Sequence, residues 1–312
     1  CTFCHRWSKG YQMFEIDPLV KYIKYLMDEY NVGFVTIADE NFGSSRKQVE
    51  EFCEKIAPLD VLWYTAGVRV RNVDEELIRK MKESGCTTLY YGIESGSPKM
   101  LKIMEKNATL DLNYKAMVSA QKNDMWTIIQ YVIGMPGETN KTINETIEFT
   151  KKCRKLFADN YKILLSVNYA QSLPGTPLYE YARHEGFLGE GSDSEEDYLL
   201  KISDVDAASR EHYINMSEES LIDVMAWQDK IIIESDIYYH INLGKPFVKL
   251  DSGDYLQKEY SRGDYFRITK NPRLLKRILI LYGFYFFGRQ LYPLLGIYRT
   301  YQRFGSIKKT FN

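Results

Sequence analysis

The chain has 312 residues, of which 45% are hydrophobic and 27% charged, and its 41 basic and 42 acidic side chains give a net charge of −1. This composition is typical of a folded globular protein, and it excludes a disordered chain, a collagen-like repeat and a polytopic membrane protein. The balanced charge argues against a dedicated nucleic-acid binder, and five cysteines are too few for a disulfide scaffold.

Residues 17–170 alternate between helical and strand patterns. Short runs rich in β-branched and aromatic residues predict five strands, at 34–38, 61–66, 87–93, 127–133 and 163–169. Apolar residues at helical spacing predict helices that begin at Asp17-Pro18, Ser44-Ser45, Asp74, about Asp111 and Thr139. Gly85 is predicted to end the third of these helices. The alternation predicts an α/β fold with a parallel sheet, either doubly wound or part of a (β/α) barrel.

Polar and charged residues follow the predicted strands directly. These strand ends are Asp39-Glu40-Asn41, Arg69, Glu94-Ser95, Gly134–Glu138 and Tyr169–Gln171. Because α/β proteins carry their chemistry at the carboxyl ends of parallel strands, we expect a lined cleft at this edge. The glycines of 134–138 would let the backbone approach a ligand, although a tight turn explains them equally.

Cys1 and Cys4 form a C-x-x-C pair. Thiolates at this spacing can hold a metal or an iron–sulfur cluster, or close a redox disulfide. Cys53 and Cys153 fall on apolar helix faces and Cys86 precedes a buried strand, so we predict that these three are core residues rather than ligands.

Taken together, the ordered motifs resemble the radical S-adenosylmethionine (SAM) family, whose cluster pattern is C-x-x-x-C-x-aromatic-C. Cys1-Thr2-Phe3-Cys4 matches the last two cysteines of this pattern, with Phe3 at the aromatic position. The resemblance runs from Cys1 to about Leu188. It is strongest at Arg69 and in segments 91–97, 101–106, 133–139 and 173–179. The chain is most similar to the subgroup whose members often carry an N-terminal cobalamin-binding domain.

This resemblance implies a particular fold and domain division. Residues 1–190 would form a partial TIM-type (β/α) barrel, the radical SAM core with strands 2 to 6 of the barrel, and residues 191–312 a mainly helical C-terminal extension. The first barrel strand and the first cluster cysteine, expected four residues before Cys1, are absent. We interpret this absence as truncation, and we expect the chain alone to bind a cluster poorly.

The resemblance also implies the cofactors and the reaction. Cys1 and Cys4 would hold a [4Fe–4S] cluster, which cleaves SAM reductively to a 5′-deoxyadenosyl radical for methyl transfer or another modification of an unactivated carbon. The implied SAM-binding residues are Asp39 and Glu40 at the amino group, Arg69 at the carboxylate, Glu94 with Ser95 at the ribose, Gly134 to Glu138 along the adenosine, and the backbone of Phe3 at the adenine. Cobalamin, through a domain not in this chain, is a further implied cofactor.

The implied partners are a small-molecule or lipid-like substrate and an electron donor such as flavodoxin or ferredoxin, without nucleic acid. A cytoplasmic location is expected.

The C-terminal third has an uneven charge distribution. Residues 190–236 contain 14 acidic and 3 basic side chains, whereas the tail 265–312 contains 10 basic and no acidic ones. Within 272–312, basic residues flank an uncharged aromatic run at 278–287 that is short for a membrane span. Peripheral contact of 272–312 with an acidic lipid surface, a marginal span over 278–298 and a core-packing helix all stay open.

Two other functions stay open from the sequence. The chain could be a C-x-x-C redox or zinc-binding α/β protein, or a non-catalytic, membrane-associated fragment that has lost its cluster site. Brown iron–sulfur absorbance with SAM cleavage would distinguish the radical SAM hypothesis from a colourless zinc protein.

Overall fold

A computed structural model describes residues 1–4, 14–39, 41–159, 162–189, 192–203, 212–239 and 243. The described residues form five strands, β1 (Phe34–Ile37), β2 (Leu62–Val68), β3 (Cys86–Glu94), β4 (Trp126–Ile133) and β5 (Ile163–Tyr169). They lie in chain order in one sheet, and every neighbouring pair is parallel. Sequential parallel order is that of a (β/α) barrel, because a doubly wound sheet reverses its strand order at a switch point. The predicted partial barrel is therefore confirmed.

Nine α-helices are described alongside these strands. They are α1 (Ile16–Tyr30), α2 (Arg46–Ile56), α3 (Glu75–Glu83), α4 (Pro98–Ile103), α5 (Leu110–Lys122), α6 (Asn140–Leu156), α7 (Pro177–His184), α8 (Ser192–Ser203) and α9 (Leu221–Ile237). A short 3-10 turn, Ala57–Leu59, follows α2.

Side-chain caps fix most of the predicted helix starts. Ser45 accepts a hydrogen bond from Gln48 N at the start of α2, and Asp74 accepts one from Leu77 N at the start of α3. Thr139 forms a capping box at the start of α6. Each oxygen satisfies a backbone N–H that has no partner within its helix, so the chain begins to coil there.

The predicted start of α1 is wrong by two residues, because the capping position is Glu15 and not Asp17. The helix begins at Ile16, after Glu15, whose side chain makes no capping hydrogen bond. Asp17 and Pro18 therefore lie within the first turn. An acidic side chain is favourable there because it faces the positive end of the helix dipole, and proline is tolerated because its missing N–H is not needed.

The chain divides into two compact units, one made of Cys1–Met135 with Asn160–Ile214, and the other of Pro136–Asp159 with Asn215–Asn312. We call these unit 1 and unit 2. Unit 1 contains the sheet and α1 to α5, α7 and α8, and unit 2 contains α6 and α9. The domain boundary at residue 190 stays a prediction.

In unit 1, alternate strand residues build the core on one side of the sheet. Trp63, Leu89 and Ile129 are fully buried there. The Trp63 ring packs edge-on against Phe52 of α2, with 5.0 Å between ring centroids, and its Nε1 donates to the Ser84 carbonyl at 3.0 Å. Residues between these positions are half-buried and form the opposite face of the sheet.

In unit 2, polar side chains join α6 to α9. Trp227 Nε1 donates to Asn140 Oδ1 at 2.9 Å, and Lys230 Nζ donates to Asn144 Oδ1 at 2.7 Å. The basic aromatic tail 265–312, and with it the predicted lipid contact of 272–312, lies outside the described residues. None of the described helices combines the length and the apolar character needed to cross a bilayer.

Candidate functional site

The two cysteines of the C-x-x-C pair are exposed. Neither Cys1 nor Cys4 forms a disulfide with another described residue. The other three cysteines are buried, and burial raises the pKa of the Cys53 thiol to about 11 and raises those of Cys86 and Cys153 further. Since a thiolate is the ligand form, the prediction that these three are core residues is confirmed. Within the described ranges, no three Cys, His, Asp or Glu side chains meet as a metal site.

Thr2, between the two cysteines, ties their loop to unit 1. Its N–H donates to the Met104 carbonyl at 3.1 Å, and its hydroxyl donates to the Ile103 carbonyl at 3.3 Å. Its own carbonyl accepts from Leu178 N at 3.0 Å. The loop is thus held between the end of α4 and the start of α7. These elements lie in segments 101–106 and 173–179, two of the segments that carry the family resemblance.

Glu94, at the end of β3, forms a largely buried ion pair with Lys106. The Lys106 Nζ lies 2.7 Å from Glu94 Oε1, and both side chains are about nine-tenths buried. Glu94 has a φ of 65°, an uncommon conformation for a residue with a side chain and one that costs free energy. Burial of this kind fixes the carboxylate in one orientation, because separating the pair would leave a buried charge without its compensating partner.

Gly92 makes room for this ion pair. A Cβ atom at this position would lie 2.5 Å from Glu94 Oε1 and 3.1 Å from Lys106 Nζ. The first distance is below any ordinary contact, so the site depends on glycine here.

Lys106 also links the ion pair to the cysteine loop, because it follows Met104, the residue that accepts the Thr2 N–H, by two positions. The structure therefore brings the Cys1–Cys4 loop and Glu94 to one end of unit 1. Lys106 lies in segment 101–106, but its partner could not be predicted from the sequence, since no local spacing rule pairs residues 12 positions apart across a turn.

Two residues that are predicted to bind SAM also make hydrogen bonds within the turns that contain them. Asp39 Oδ1 accepts from Asn41 N at 2.7 Å after β1, and Ser95 Oγ accepts from Ser97 N at 3.1 Å after β3. Such side-chain-to-backbone bonds stabilise turns, so these residues shape the strand ends whatever they bind. Glu40 lies outside the described residues.

The space that Gly134 leaves open is taken by Tyr213. Gly134 has a φ of 82°, and a Cβ there would lie 2.5 Å from Tyr213 Cε2. The Tyr213 hydroxyl donates to the Gly134 carbonyl at 3.0 Å, and its ring contacts Tyr169, with 5.0 Å between centroids. We expected a ligand to lie close to the backbone at Gly134, but the Tyr213 side chain of unit 1 occupies that space. No sequence pattern indicated this contact.

The remaining predicted residues are placed as follows. Arg69 follows β2 and is half-buried, and Phe3 is half-buried within the cysteine loop. Glu138 is fully buried and belongs to unit 2. Asp39, Arg69, Glu94 and Gly134 follow or end four neighbouring strands of unit 1, at the carboxyl edge of the sheet, as predicted.

Residues 1–150 match the family model of the radical SAM superfamily. The "uncharacterized methyltransferase PH0819" of Pyrococcus horikoshii is 31% identical over 192 residues, which are 58% of this chain and 39% of that protein. The anaerobic magnesium-protoporphyrin IX monomethyl ester cyclase of Cereibacter sphaeroides is 30% identical over 193 residues, which are 59% of this chain and 30% of that protein. The chain therefore spans two fifths or less of these relatives' length.

A solved structure shares the fold. The cobalamin-dependent S-adenosylmethionine radical enzyme OxsB, with aqua-cobalamin bound, superposes with a TM-score of 0.52 at 15% identity, covering 96% of this chain and 45% of that chain. At this identity the likeness concerns the fold alone. The family match over residues 1–150, the motifs in the same order and the sequential parallel sheet agree, and together they identify residues 1–150 as a radical SAM domain.

Proposed function

We propose that this chain is the catalytic core of an enzyme that cleaves SAM reductively with a [4Fe–4S] cluster and uses the radical to modify an unactivated carbon, by methyl transfer in the first instance. The observation that carries the proposal is the tethered cysteine loop beside the Glu94–Lys106 ion pair. Relatives named as methyltransferases favour methyl transfer.

The exposed thiols of Cys1 and Cys4 fit two of the three thiolates that such a cluster needs. When bound, the reduced cluster supplies the electron that breaks the C–S bond of SAM. The third thiolate is not among the described residues, since no third ligand joins the pair there. Thr2 holds the two thiols in place through its three backbone and hydroxyl hydrogen bonds.

The chain's own residues would bind and orient SAM. Glu94, fixed by Lys106, presents carboxylate oxygens that accept hydrogen bonds from ribose hydroxyls, and Ser95 shapes the adjoining turn. The Asp39 and Glu40 carboxylates would pair with the SAM amino group, and the Arg69 guanidinium with its carboxylate. The backbone of Phe3 would lie at the adenine.

The same proposal includes partners beyond these residues. A flavodoxin or ferredoxin would donate the electron. Cobalamin would carry the methyl group, in keeping with the name of the OxsB enzyme, which is cobalamin-dependent.

The test supplies a third thiolate. The chain is extended by Cys-Ala-Ala-Ala before Cys1, the spacing of the family pattern, and the matched control carries Ser-Ala-Ala-Ala. After anaerobic reconstitution with iron and sulfide, we expect brown absorbance and 5′-deoxyadenosine from SAM and dithionite with the Cys extension, and neither with the Ser extension. A colourless, zinc-loaded protein that makes no 5′-deoxyadenosine with either extension would support the zinc-binding alternative and contradict the proposal.

A further inference from the structure

We call the face of the sheet opposite the Trp63 core the inner face. On strands β1 to β3 it carries a row of aromatic rings. The rings of Phe34 and Tyr64 are 5.6 Å apart, and those of Tyr64 and Tyr90 are stacked at 5.4 Å with 21° between their planes. Three neighbouring strands, β1 to β3, each contribute one ring, so a row of aromatic side chains lines this part of the inner face.

The inner face becomes polar toward β4 and β5. Gly92 is in register with Gln130, and Gln130 with Ser166. Partners in register on parallel strands project to the same side, and Tyr90, two residues from Gly92, shares that side. Asn168 Nδ2 donates to Ser166 Oγ at 3.1 Å, which places Asn168 in the same cluster. All three polar residues are half-buried.

This polar cluster adjoins the Glu94–Lys106 ion pair. A Cβ on Gly92 would point at the Glu94 carboxylate, so that carboxylate lies on the inner face. Because Gln130 is the register partner of Gly92, its side chain projects from the neighbouring strand on the same side. A ligand that contacts Gln130 would therefore lie next to the group proposed to hold the SAM ribose.

The described strands carry almost no charge. Across β1 to β5, Glu94 is the single charged residue, and Lys106 neutralises it. The inner face thus offers stacked rings, and amides and a hydroxyl that both donate and accept hydrogen bonds. The strand residues themselves would give a charged ligand no counter-ion in exchange for its lost hydration.

We propose that Gln130, Ser166 and Asn168 are specificity-determining residues, and that the substrate is an uncharged, flat conjugated ring with hydrogen-bonding groups on its edge. The ring would pack against the Tyr64 and Tyr90 side chains, and its polar edge would meet the amides of β4 and β5. This inference rests on the proposed function, because it uses the Glu94–Lys106 pair to mark the SAM side of the face.

The test measures binding of three probes to the full 312-residue chain by calorimetry: indole-3-acetamide, indole-3-acetate and cyclohexylacetamide. We expect the neutral indole amide to bind about tenfold more tightly than either the charged acid or the non-aromatic amide. Gln130→Leu should weaken binding of indole-3-acetamide about fivefold, as expected for one lost hydrogen bond. Tyr90→Leu should remove the preference for the indole ring over the cyclohexyl ring. Tyr22→Leu, at an exposed position of α1, is the matched control for Tyr90→Leu and should bind like the unmodified chain.

Equal binding of all three probes, no binding, or unchanged binding by Gln130→Leu and Tyr90→Leu would overturn the inference, provided that thermal unfolding shows the variants folded. SAM cleavage is measured separately on the Cys-extended chain without probe. Absence of 5′-deoxyadenosine from the unsubstituted extended chain contradicts the proposed function and leaves the probe result standing. Loss of 5′-deoxyadenosine in Gln130→Leu alone would assign that residue to SAM and overturn the inference.

Discussion

Each compact unit contains an ion pair in which at least one side chain is buried, and the two pairs differ in what surrounds them. In unit 2, Arg154 is 2% exposed, pairs with Asp236 at 2.5 Å and lies 5.9 Å from the centre of the Tyr239 ring. That pair joins α6 to α9, two helices in ordinary conformations. In unit 1, the Glu94–Lys106 pair lies at the end of β3. Glu94 has a positive φ, and a Cβ atom on Gly92 would collide with its carboxylate. The first pair holds helices together, whereas the second holds a carboxylate in place.

The largest effect on stability should follow from breaking the pair in unit 2. Asp236→Asn leaves the buried Arg154 guanidinium without its anionic partner, and we expect the free energy of unfolding to fall by about 3 kcal/mol. Urea denaturation measures this change. Asp28→Asn, which breaks the exposed Lys24–Asp28 pair, is the matched control and should change stability by less than about 0.5 kcal/mol. Equal losses in the two variants would contradict the structural role of Arg154.

Gly92→Ala should damage the site of unit 1 more than its stability. The added methyl group collides with Glu94 Oε1 and displaces the ion pair, so we expect at least a tenfold loss of SAM binding with a loss of stability of about 1 to 3 kcal/mol. Gly33→Ala is the control, because nothing lies within 4 Å of a Cβ there. Unchanged SAM binding by Gly92→Ala, measured on the reconstituted extended chain, would show that the SAM site does not require glycine at this position.

Glu94→Gln keeps the shape of the side chain and removes its charge. Since an amide accepts hydrogen bonds more weakly than a carboxylate, we expect the Kd for SAM to rise about tenfold at unchanged cluster absorbance. A Kd within twofold of the unmodified value would remove Glu94 from the SAM site.

The cysteines allow a pH-dependent test of the same contrast between exposed and buried groups. At pH 8 the buried thiols stay protonated, because the pKa of Cys53 is raised to about 11 and those of Cys86 and Cys153 are raised further. A thiol reagent should therefore label two cysteines, Cys1 and Cys4, in the native cluster-free chain and all five after denaturation. Labelling of Cys53 should begin only as the pH approaches 11. Rapid labelling of more than two thiols at pH 8 would show that the core is open.

The smallest effect should come from Thr2→Val, which removes one of three hydrogen bonds of the cysteine loop. The lost hydroxyl contact with the Ile103 carbonyl is worth about 1 kcal/mol, so we expect a cluster that binds but releases iron to a chelator severalfold faster. Release at the unmodified rate would mean that the two backbone hydrogen bonds suffice.

Most of the sheet could be predicted because its strands are short apolar runs between capped helices. The β5 strand has the predicted ends, 163 and 169, and the other four differ by one or two residues. The α4 and α7 helices were missed since they are six and eight residues long and begin with proline, which gives too few turns for an apolar stripe.

The partners within the site could not be predicted in the same way. Lys106 reaches Glu94 across a turn, and Tyr213 reaches Gly134 from 79 positions along the chain. Such contacts depend on how elements pack together, and no local pattern in the sequence encodes them. The strand-end residues themselves were predictable, because polarity directly after an apolar strand is a local signal.

The most direct test of the central claim, that the cysteine loop and Glu94 form one SAM and cluster site, is electron paramagnetic resonance of the reduced, Cys-extended chain with and without SAM. We predict that SAM changes the spectrum of the unmodified cluster, and that Glu94→Gln needs about tenfold more SAM for the same change. A cluster spectrum that is identical with and without saturating SAM would contradict the claim.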